Sequence, residues 1–175
     1  MRTISKTAAY NASPCQVFKC IDDLGITGMH MTKSSSMMMG GKLDLAFLTE
    51  HHTGLGSRYQ WTGKMMGMLM DFTVEVTKWV PGVEKIWETI GDARLIIYSW
   101  YRIQLVITEI PGGVSQAELS ISYKRPGKFF YKLLSFFFAD WYCKWCLKKM
   151  LGDAKIALEL NKIKKISKYN YDEIN

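Results

Sequence analysis

The chain has 175 residues, of which 48% are hydrophobic, 13% aromatic and 22% charged. These proportions exclude a disordered or collagen-like chain, and the length fits one domain with a substantial core. No run of about 18 uncharged apolar residues occurs, so we expect no membrane-spanning helix. Residues 1–6 lack the apolar stretch of a secretory signal, which predicts a cytoplasmic protein.

The formal net charge is +7, from 23 Lys and Arg against 16 Asp and Glu. Such an excess is found in proteins that bind nucleic acid or an anionic membrane surface. Much of it lies beyond residue 143, where basic and aromatic residues do not interleave as they do in nucleic-acid-binding motifs. We interpret these lysines as the solvated face of a helix and expect no nucleic-acid partner.

The first third of the chain predicts a strand at residues 3–10 and then short helices. Ser13, Pro14 and Gln16 form the start of a helix, because Pro suits the first helical position and Gln16 can complete a capping box with Ser13. A second short helix is expected at 26–31. Residues 32–41 are small, polar and rich in Met, which is typical of either a flexible lid over a pocket or an unspecialised loop.

From residue 43 to residue 123 apolar side chains recur with a period of two, as in strands with one buried face. Turns that contain Gly or Pro divide this region into about six consecutive antiparallel strands. The clearest alternation lies at 70–77. Gly91 and Asp92 are interpreted as a turn, and residues 94–110 as one long strand.

After Gly127 the period returns to that of a helix, which we expect to run from 128 to 168. A helix of that length measures about 60 Å, whereas the radius of gyration of such a domain is about 16 Å. We therefore predict a break between Ser135 and Asp140. Residues 129–138 are apolar almost all round and are expected to pack under the sheet rim at a cavity mouth. The alternatives for this segment are a homodimer contact and a peripheral membrane contact.

The element order and three local motifs resemble the START-like superfamily, also called the polyketide cyclase/dehydrase and lipid-transport (SRPBCC) proteins. The motifs are NASPCQVF at 11–18, GLGSRYQW at 54–61 and the amphipathic final helix at 147–159. The resemblance covers residues 2–162. It implies an α+β helix-grip fold, in which a curved antiparallel sheet wraps around a long C-terminal helix and two short helices follow the first strand. It also implies one domain over 1–168, followed by a polar tail at 169–175.

The resemblance further implies a cavity between the sheet and the long helix that holds a lipid-, sterol- or polyketide-like molecule. Strand parity independently places large aromatic side chains and a few hydroxyls on the inner face, as a pocket for an apolar ligand with one polar end requires. For each of these residues core packing is the alternative to ligand contact. The predicted ligand-binding residues are Tyr59, Trp61, Met70, Phe72, Val74, Ser99, Tyr101, Leu119, Ile121 and Tyr123.

No established catalytic, metal-binding or cofactor-binding motif occurs, so we predict no metal and no cofactor. Glu88 is a weak catalytic candidate, because a carboxylate among apolar neighbours could act as an acid or base. That role requires Glu88 to face inward. The opposite register, with Trp87 and Thr89 inside and Glu88 in water, is slightly favoured. Arg102 is expected to face outward.

Two further groups of reactive side chains are expected to have no catalytic or metal-binding role. His51 and His52 precede a glycine-rich turn and are expected to be exposed. Cys143 and Cys146 have C-x-x-C spacing but lie inside a predicted helix, so buried free thiols are favoured over a redox or zinc site.

These observations predict the binding or carriage of an apolar small molecule. The alternatives are a cyclase- or dehydratase-type enzyme, which needs a placed acid–base pair in the cavity, and a membrane- or protein-interaction module.

Overall fold

Seven antiparallel strands and four helices make up the chain in a computed structural model that describes residues 1–32, 41–65 and 67–172, without the side chains of residues 29 and 162–172. The predicted lid lies almost entirely outside the described residues. The elements are β1 (Arg2–Tyr10), α1 (Pro14–Asp22), α2 (Leu24–Thr27), α3 (Met29–Thr32), β2 (Lys42–Phe47), β3 (Arg58–Met65), β4 (Met68–Val80), β5 (Glu84–Arg94), β6 (Trp100–Ile110), β7 (Val114–Lys124) and α4 (Phe129–Asp172).

The strands form one sheet in the order β1-β7-β6-β5-β4-β3-β2. Consecutive strands pair in sequence order from β2 to β7, and β1 then joins the edge beside β7, with Ala8 opposite Ala117. The predicted α+β fold, with a curved antiparallel sheet and a long C-terminal helix, is confirmed. Three short helices follow β1 instead of two, because Gly28 ends α2 and α3 begins at the next residue.

The start of α1 follows the predicted capping box. Pro14 is the first helical residue, and the backbone N–H of Ser13 donates a hydrogen bond to Gln16 Oε1 at 3.0 Å. The inward face of α1 buries Val17, Phe18 and Ile21. This face positions the end of α1 over the concave side of the sheet.

A buried ion pair joins the end of α1 to β5. Lys85 Nζ lies 2.5 Å from Asp22 Oδ1, and both side chains are almost fully buried. Trp79 Nε1 donates a second hydrogen bond to Asp22 at 3.1 Å. Burial lowers the pKa of Lys85, and the Asp22 carboxylate opposes that shift. The ion pair therefore fixes α1 against the sheet. Water has little access to either charge.

The β5–β6 region differs from the predicted single strand at 94–110. Pairing between β5 and β6 ends at Glu88 and Arg102, and the chain leaves the sheet between Arg94 and Trp100. The reason is that three consecutive apolar residues are all buried here, which a strand with alternating faces cannot achieve. These residues are Ile96, Ile97 and Tyr98.

Gly91 and Asp92 form a bulge in β5 instead of the predicted turn. The register shifts between the pairs Thr73–Ile90 and Asp71–Arg94. Gly91 has a φ of +65°, which a bulge residue in the left-handed region requires and which glycine adopts without strain.

The predicted break in the last helix is wrong: α4 is continuous from Phe129 to Asp172. Residues 129–151 contain no Gly or Pro to interrupt it. The helix packs on the sheet by one row of side chains, which includes Ser135, Ala139 and Tyr142. In the described part of the chain, no helix is long and apolar enough to cross a bilayer.

The expectation that residues 129–138 pack under the sheet rim is also wrong for most of the segment. A straight helix turns only one side toward the sheet, so a segment that is apolar all round leaves the other side in solvent. Tyr131, Leu134 and Ser135 are on the packed side. The exposed side chains are Phe129, Phe130, Leu133, Phe136, Phe137 and Phe138.

The buried ion pair should be costly to break from one side. We expect Lys85→Met to lower the free energy of unfolding by about 3–5 kcal/mol, because it leaves the Asp22 carboxylate buried without a partner. The double variant Asp22→Leu/Lys85→Met should lose less than the sum of the two single variants. Urea denaturation measures all three. The control is Lys42→Met, which removes an exposed ion pair with Asp44 and should lower the free energy of unfolding by no more than about 1 kcal/mol. A loss for Lys85→Met as small as that of Lys42→Met would contradict the buried ion pair.

The exposed phenylalanines should contribute little to folding. We expect Phe136→Ser/Phe137→Ser to change the free energy of unfolding by no more than about 0.5 kcal/mol per site. Leu147→Ala, on the buried side of the same helix, should cost about 2–5 kcal/mol. Thermal and urea unfolding of the two variants compare these values directly. A loss in the serine variant as large as that of Leu147→Ala would show that the segment is packed after all.

Candidate functional site

An apolar cavity of about 80 Å³ lies between the concave face of the sheet, α4 and the short helices α2 and α3. The sheet supplies mostly aromatic side chains to its wall. Those from the strands are Tyr59, Trp61, Met70, Phe72, Trp87, Tyr101, Ile103 and Ile121.

The other walls come from outside the sheet. Where the chain leaves β5, Leu95 and Tyr98 turn into the cavity. From α4, three side chains one helical turn apart face the cavity on a single stripe, since residues four apart lie on the same side of a helix. They are Tyr142, Cys146 and Met150. From α2, α3 and the residue between them come Leu24, Thr27, Gly28, His30 and Met31.

Six of the ten predicted ligand-binding residues meet in this cavity: Tyr59, Trp61, Met70, Phe72, Tyr101 and Ile121. Val74 and Leu119 are buried in the core outside it. Tyr123 is also buried, and its hydroxyl donates to Asp140 Oδ1, which helps to raise its pKa to about 12, although burial is the larger cause. Ser99 is exposed at the end of the segment that joins β5 to β6, and its hydroxyl donates to the carbonyl of Arg125 at 3.2 Å. A ligand-binding role stays a prediction for all ten.

Glu88 lies on the outer face of the sheet. The structure has the register with Trp87 and Thr89 buried, so Glu88 projects away from the cavity and forms an ion pair with Arg102 at 2.9 Å. Arg102 faces outward as its parity indicates. The carboxylate therefore has no access to a ligand in the cavity.

The most distinctive group in the cavity wall is His30. Both imidazole nitrogens of this half-buried residue are buried, and neither has a hydrogen-bond partner of ordinary geometry among the described residues. The ring stands edge-on to Trp145 at 5.4 Å between centroids. Burial lowers the pKa of His30 to about 4; the nearby backbone of Thr27 opposes this shift in part, and the positive charge of Lys149 reinforces it. At neutral pH His30 is therefore uncharged, and its imidazole carries one N–H donor and one nitrogen acceptor.

The other polar groups of the wall are also neutral at physiological pH. Burial raises the pKa of Tyr59, Tyr101 and Tyr142. It raises the pKa of the Cys143 thiol to about 11 and that of Cys146 further. Both cysteines are free and buried, and the Tyr98 hydroxyl lies 3.2 Å from Cys143 Sγ. Thiols held in this protonated form are poor nucleophiles and poor metal ligands.

The described residues contain no cluster of His, Cys, Asp and Glu arranged to hold a metal ion. His51 and His52 are exposed, and the ring of His52 stacks on Phe47 at 3.9 Å. Neither histidine lines the cavity. The expectation that both are exposed is therefore confirmed.

A larger groove of about 720 Å³ adjoins the cavity between α1, β2 and the end of β4. Leu24 lines both spaces. At the neighbouring turn Gly28 lies against Trp61, and a Cβ there would stand 2.9 Å from the indole ring. Leu24 therefore lies between the cavity and the groove, and the Gly28–Trp61 contact belongs to the cavity side alone.

Sequence reasoning missed His30 and the α4 stripe. The stripe could have been found, because Tyr142, Cys146 and Met150 repeat every four residues on one helix face. His30 had no such signal. Its position depends on Gly28 separating α2 from α3, which the sequence pattern does not indicate.

The pKa of His30 gives a pH dependence of stability. The unfolded imidazole has a pKa near 6.5, and the folded one about 4. As the pH falls below the unfolded value the unfolded state takes up a proton first, so stability present above about pH 6.5 is lost toward pH 4, by about 3 kcal/mol.

Urea denaturation of the wild type and of His30→Leu, at neutral pH and near pH 4, isolates this contribution from that of the carboxylates. We expect the acid-induced loss to be smaller in His30→Leu by that amount. His51→Asn, at an exposed histidine, should behave as the wild type. An identical acid-induced loss in all three proteins would contradict the buried, neutral state of His30.

No family model and no curated protein sequence matches the chain, but solved structures do. Protein TTHA0849 from Thermus thermophilus has a TM-score of 0.62 at 17% identity, over 89% of this chain and 99% of that one. Norcoclaurine synthase from Thalictrum flavum, in complex with dopamine and hydroxybenzaldehyde, has a TM-score of 0.60 at 12% identity, over 90% and 87%. The Zhui aromatase/cyclase from Streptomyces sp. R1128 has a TM-score of 0.58 at 12% identity, over 88% and 93%. The chain thus has the helix-grip fold of the START-like proteins.

Proposed function

We propose that the protein binds a small, uncharged, mainly apolar molecule with one polar group in the cavity between the sheet and α4. The observation that carries this proposal is the neutral imidazole of His30, whose buried nitrogens have no hydrogen-bond partner of ordinary geometry among the described residues, in a wall without charged side chains. A buried polar group without a partner costs free energy, and a ligand hydroxyl or carbonyl that bonds to it removes that cost.

The charge state of the wall sets the class of ligand. Among the described residues the lining contains no Asp, Glu, Lys or Arg, and its tyrosines, cysteine and histidine are neutral at physiological pH. A ligand with a full charge would lose its hydration without gaining an ion pair. We therefore favour a phenol, an aromatic alcohol or an aldehyde over a fatty acid.

The size of the cavity sets the size of the ligand. Pockets for drug-sized ligands have volumes of about 300–1,000 Å³, whereas this cavity measures about 80 Å³. As described, it suits a single ring. A larger molecule needs more room, and displacement of Leu24, which lines both spaces, would join the cavity to the adjoining groove. Lipid-, sterol- and polyketide-like ligands are larger molecules of this sort, and we propose that they would occupy both the cavity and the groove.

The structural neighbours support small aromatic ligands in this fold. The norcoclaurine synthase structure is a complex with dopamine and hydroxybenzaldehyde, both small aromatic molecules with polar substituents. The aromatase/cyclase neighbour indicates that enzymes also use the fold. A cyclase-type reaction needs a placed acid–base pair, and Glu88 lies on the outer face of the sheet. We therefore propose binding in preference to catalysis. Homodimerisation through residues 129–138 remains an alternative for that segment.

Isothermal titration with phenol and toluene tests the cavity, because the two ligands share a ring and differ in one hydroxyl. We expect phenol to bind with a Kd in the micromolar range, which corresponds to a binding free energy of about 8 kcal/mol. His30→Leu should lower the affinity for phenol about threefold to tenfold, because one hydrogen bond is lost, and should leave the affinity for toluene unchanged. Cys146→Phe should abolish both, because its ring fills the space.

Leu55→Ala, at an exposed leucine outside the cavity wall, is the matched control and should bind as the wild type. Leu24→Ala should admit naphthol, which we expect the wild type to bind only weakly. Mass spectrometry of material released on denaturing the purified protein would identify a resident ligand. Unchanged phenol binding in Cys146→Phe, or no binding of either ring by the wild type, would disprove the proposal.

A further inference from the structure

The outer side of α4 carries a continuous apolar surface that nothing in the described chain covers. Its side chains are each at least 48% exposed. Phe129, Leu133, Phe137 and Trp141 follow one another at intervals of four residues and so form one row along the helix. We call this surface the aromatic face of α4: Phe129, Phe130, Leu133, Phe136, Phe137 and Trp141.

A contiguous apolar patch of this size on a folded protein marks an interaction surface. The exposed large apolar side chains outside α4 lie on separate turns and strands, such as Leu55, Leu69 and Val83. We expect the aromatic face to contribute little to folding, because the opposite side of α4 makes the contacts with the sheet.

Positive charge surrounds the aromatic face. Between residues 124 and 149 the chain has seven basic residues and one acidic residue, Asp140. That carboxylate is already engaged by Arg2 and by the Tyr123 hydroxyl. The guanidinium of Arg125 lies over the Phe136 ring at 5.3 Å. The exposed basic residues nearest to the face in sequence are Lys124, Arg125, Lys128, Lys132, Lys144 and Lys148.

Two of these lysines continue the apolar row itself. On a helical projection Lys144 and Lys148 fall on the same side as Phe137 and Trp141, one and two turns further along. The surface is therefore apolar at the start of α4 and basic beyond it. Aromatic side chains next to lysines are the composition of helices that lie in the interface of an anionic bilayer.

We propose that the aromatic face of α4 docks this protein on an anionic lipid bilayer. The aromatic rings enter the region between headgroups and acyl chains, and the surrounding lysines contact the anionic headgroups. Because the other side of α4 is fixed to the sheet, the helix axis lies parallel to the membrane plane. The inserted row from residue 129 to residue 141 is about 18 Å long.

Charge decides between a bilayer and a second copy of this chain. A symmetric dimer through the aromatic face would place the basic residues of one copy against those of the other. That arrangement is repulsive, and it is more so in a chain whose net charge is +7. An anionic surface instead complements both the rings and the lysines.

Vesicle co-sedimentation tests the proposal. We expect the wild-type protein to bind vesicles of equal parts phosphatidylcholine and phosphatidylglycerol, and to bind phosphatidylcholine vesicles far more weakly. Phe136→Ser/Phe137→Ser should reduce binding to the anionic vesicles about tenfold or more, because the inserted apolar area is lost. Lys144→Glu and Lys148→Glu should each reduce it about fivefold or more, and added salt should weaken wild-type binding.

The matched controls are Leu55→Ser, an exposed leucine outside the face, and Lys64→Glu, an exposed lysine on β3. Both should bind as the wild type. Light scattering of the wild type and of the serine variant at several protein concentrations tests the alternative, a dimer through the aromatic face. No vesicle binding, or full binding by the serine variant, would overturn the proposal, as would a dimer that the serine substitutions dissociate.

Discussion

The one-sided packing of α4 on the concave face of the sheet is the constraint on which the rest of the structure depends. Two hydrogen-bonded ties fix the helix to the strands at the β1 end of the sheet. Tyr10 on β1 donates to the carbonyl of Leu151 at 2.9 Å, and Asp140 accepts from Tyr123 on β7. Both ties are on the packed side. They determine which side chains of α4 reach the cavity and which remain in solvent.

The cavity lies where the sheet, α4 and the short helices meet. Aromatic side chains from several strands converge beneath α4, and the ion pair of Asp22 and Lys85 holds α1 at a fixed place beside them. The short helices α2 and α3 then close the remaining gap, with Gly28 leaving room for Trp61. His30 is carried inward by this closure. Its buried nitrogens are therefore a consequence of the covering helices and not of the strand pattern.

The parts of the fold with a regular period were predictable, and the irregular parts were not. The alternation at 70–77 corresponds to β4, and the return to a helical period after Gly127 corresponds to α4. The inward turn at Leu95 and Tyr98 was missed, because in the sequence this run of apolar residues is equally typical of part of a long strand. The break in α4 was inferred from overall size alone, while the sequence itself held no helix breaker between 129 and 151. The strand side chains of the cavity wall could be predicted from strand parity. The position of His30 could not, because it depends on Gly28 separating α2 from α3.

The separation of β5 from β6 has a consequence for how the sheet opens. Beyond Glu88 and Arg102 no main-chain pairs join these two strands, both of which the structure describes in full, and the hydroxyl of Thr89 instead accepts from the backbone N–H of Tyr101 at 3.1 Å. A side chain thus replaces a rung of the ladder next to the cavity wall. Segments with few main-chain bonds open by local fluctuations that leave the rest of the fold intact. We therefore expect backbone amides at the seam between β5 and β6 to exchange with water through local openings, without global unfolding.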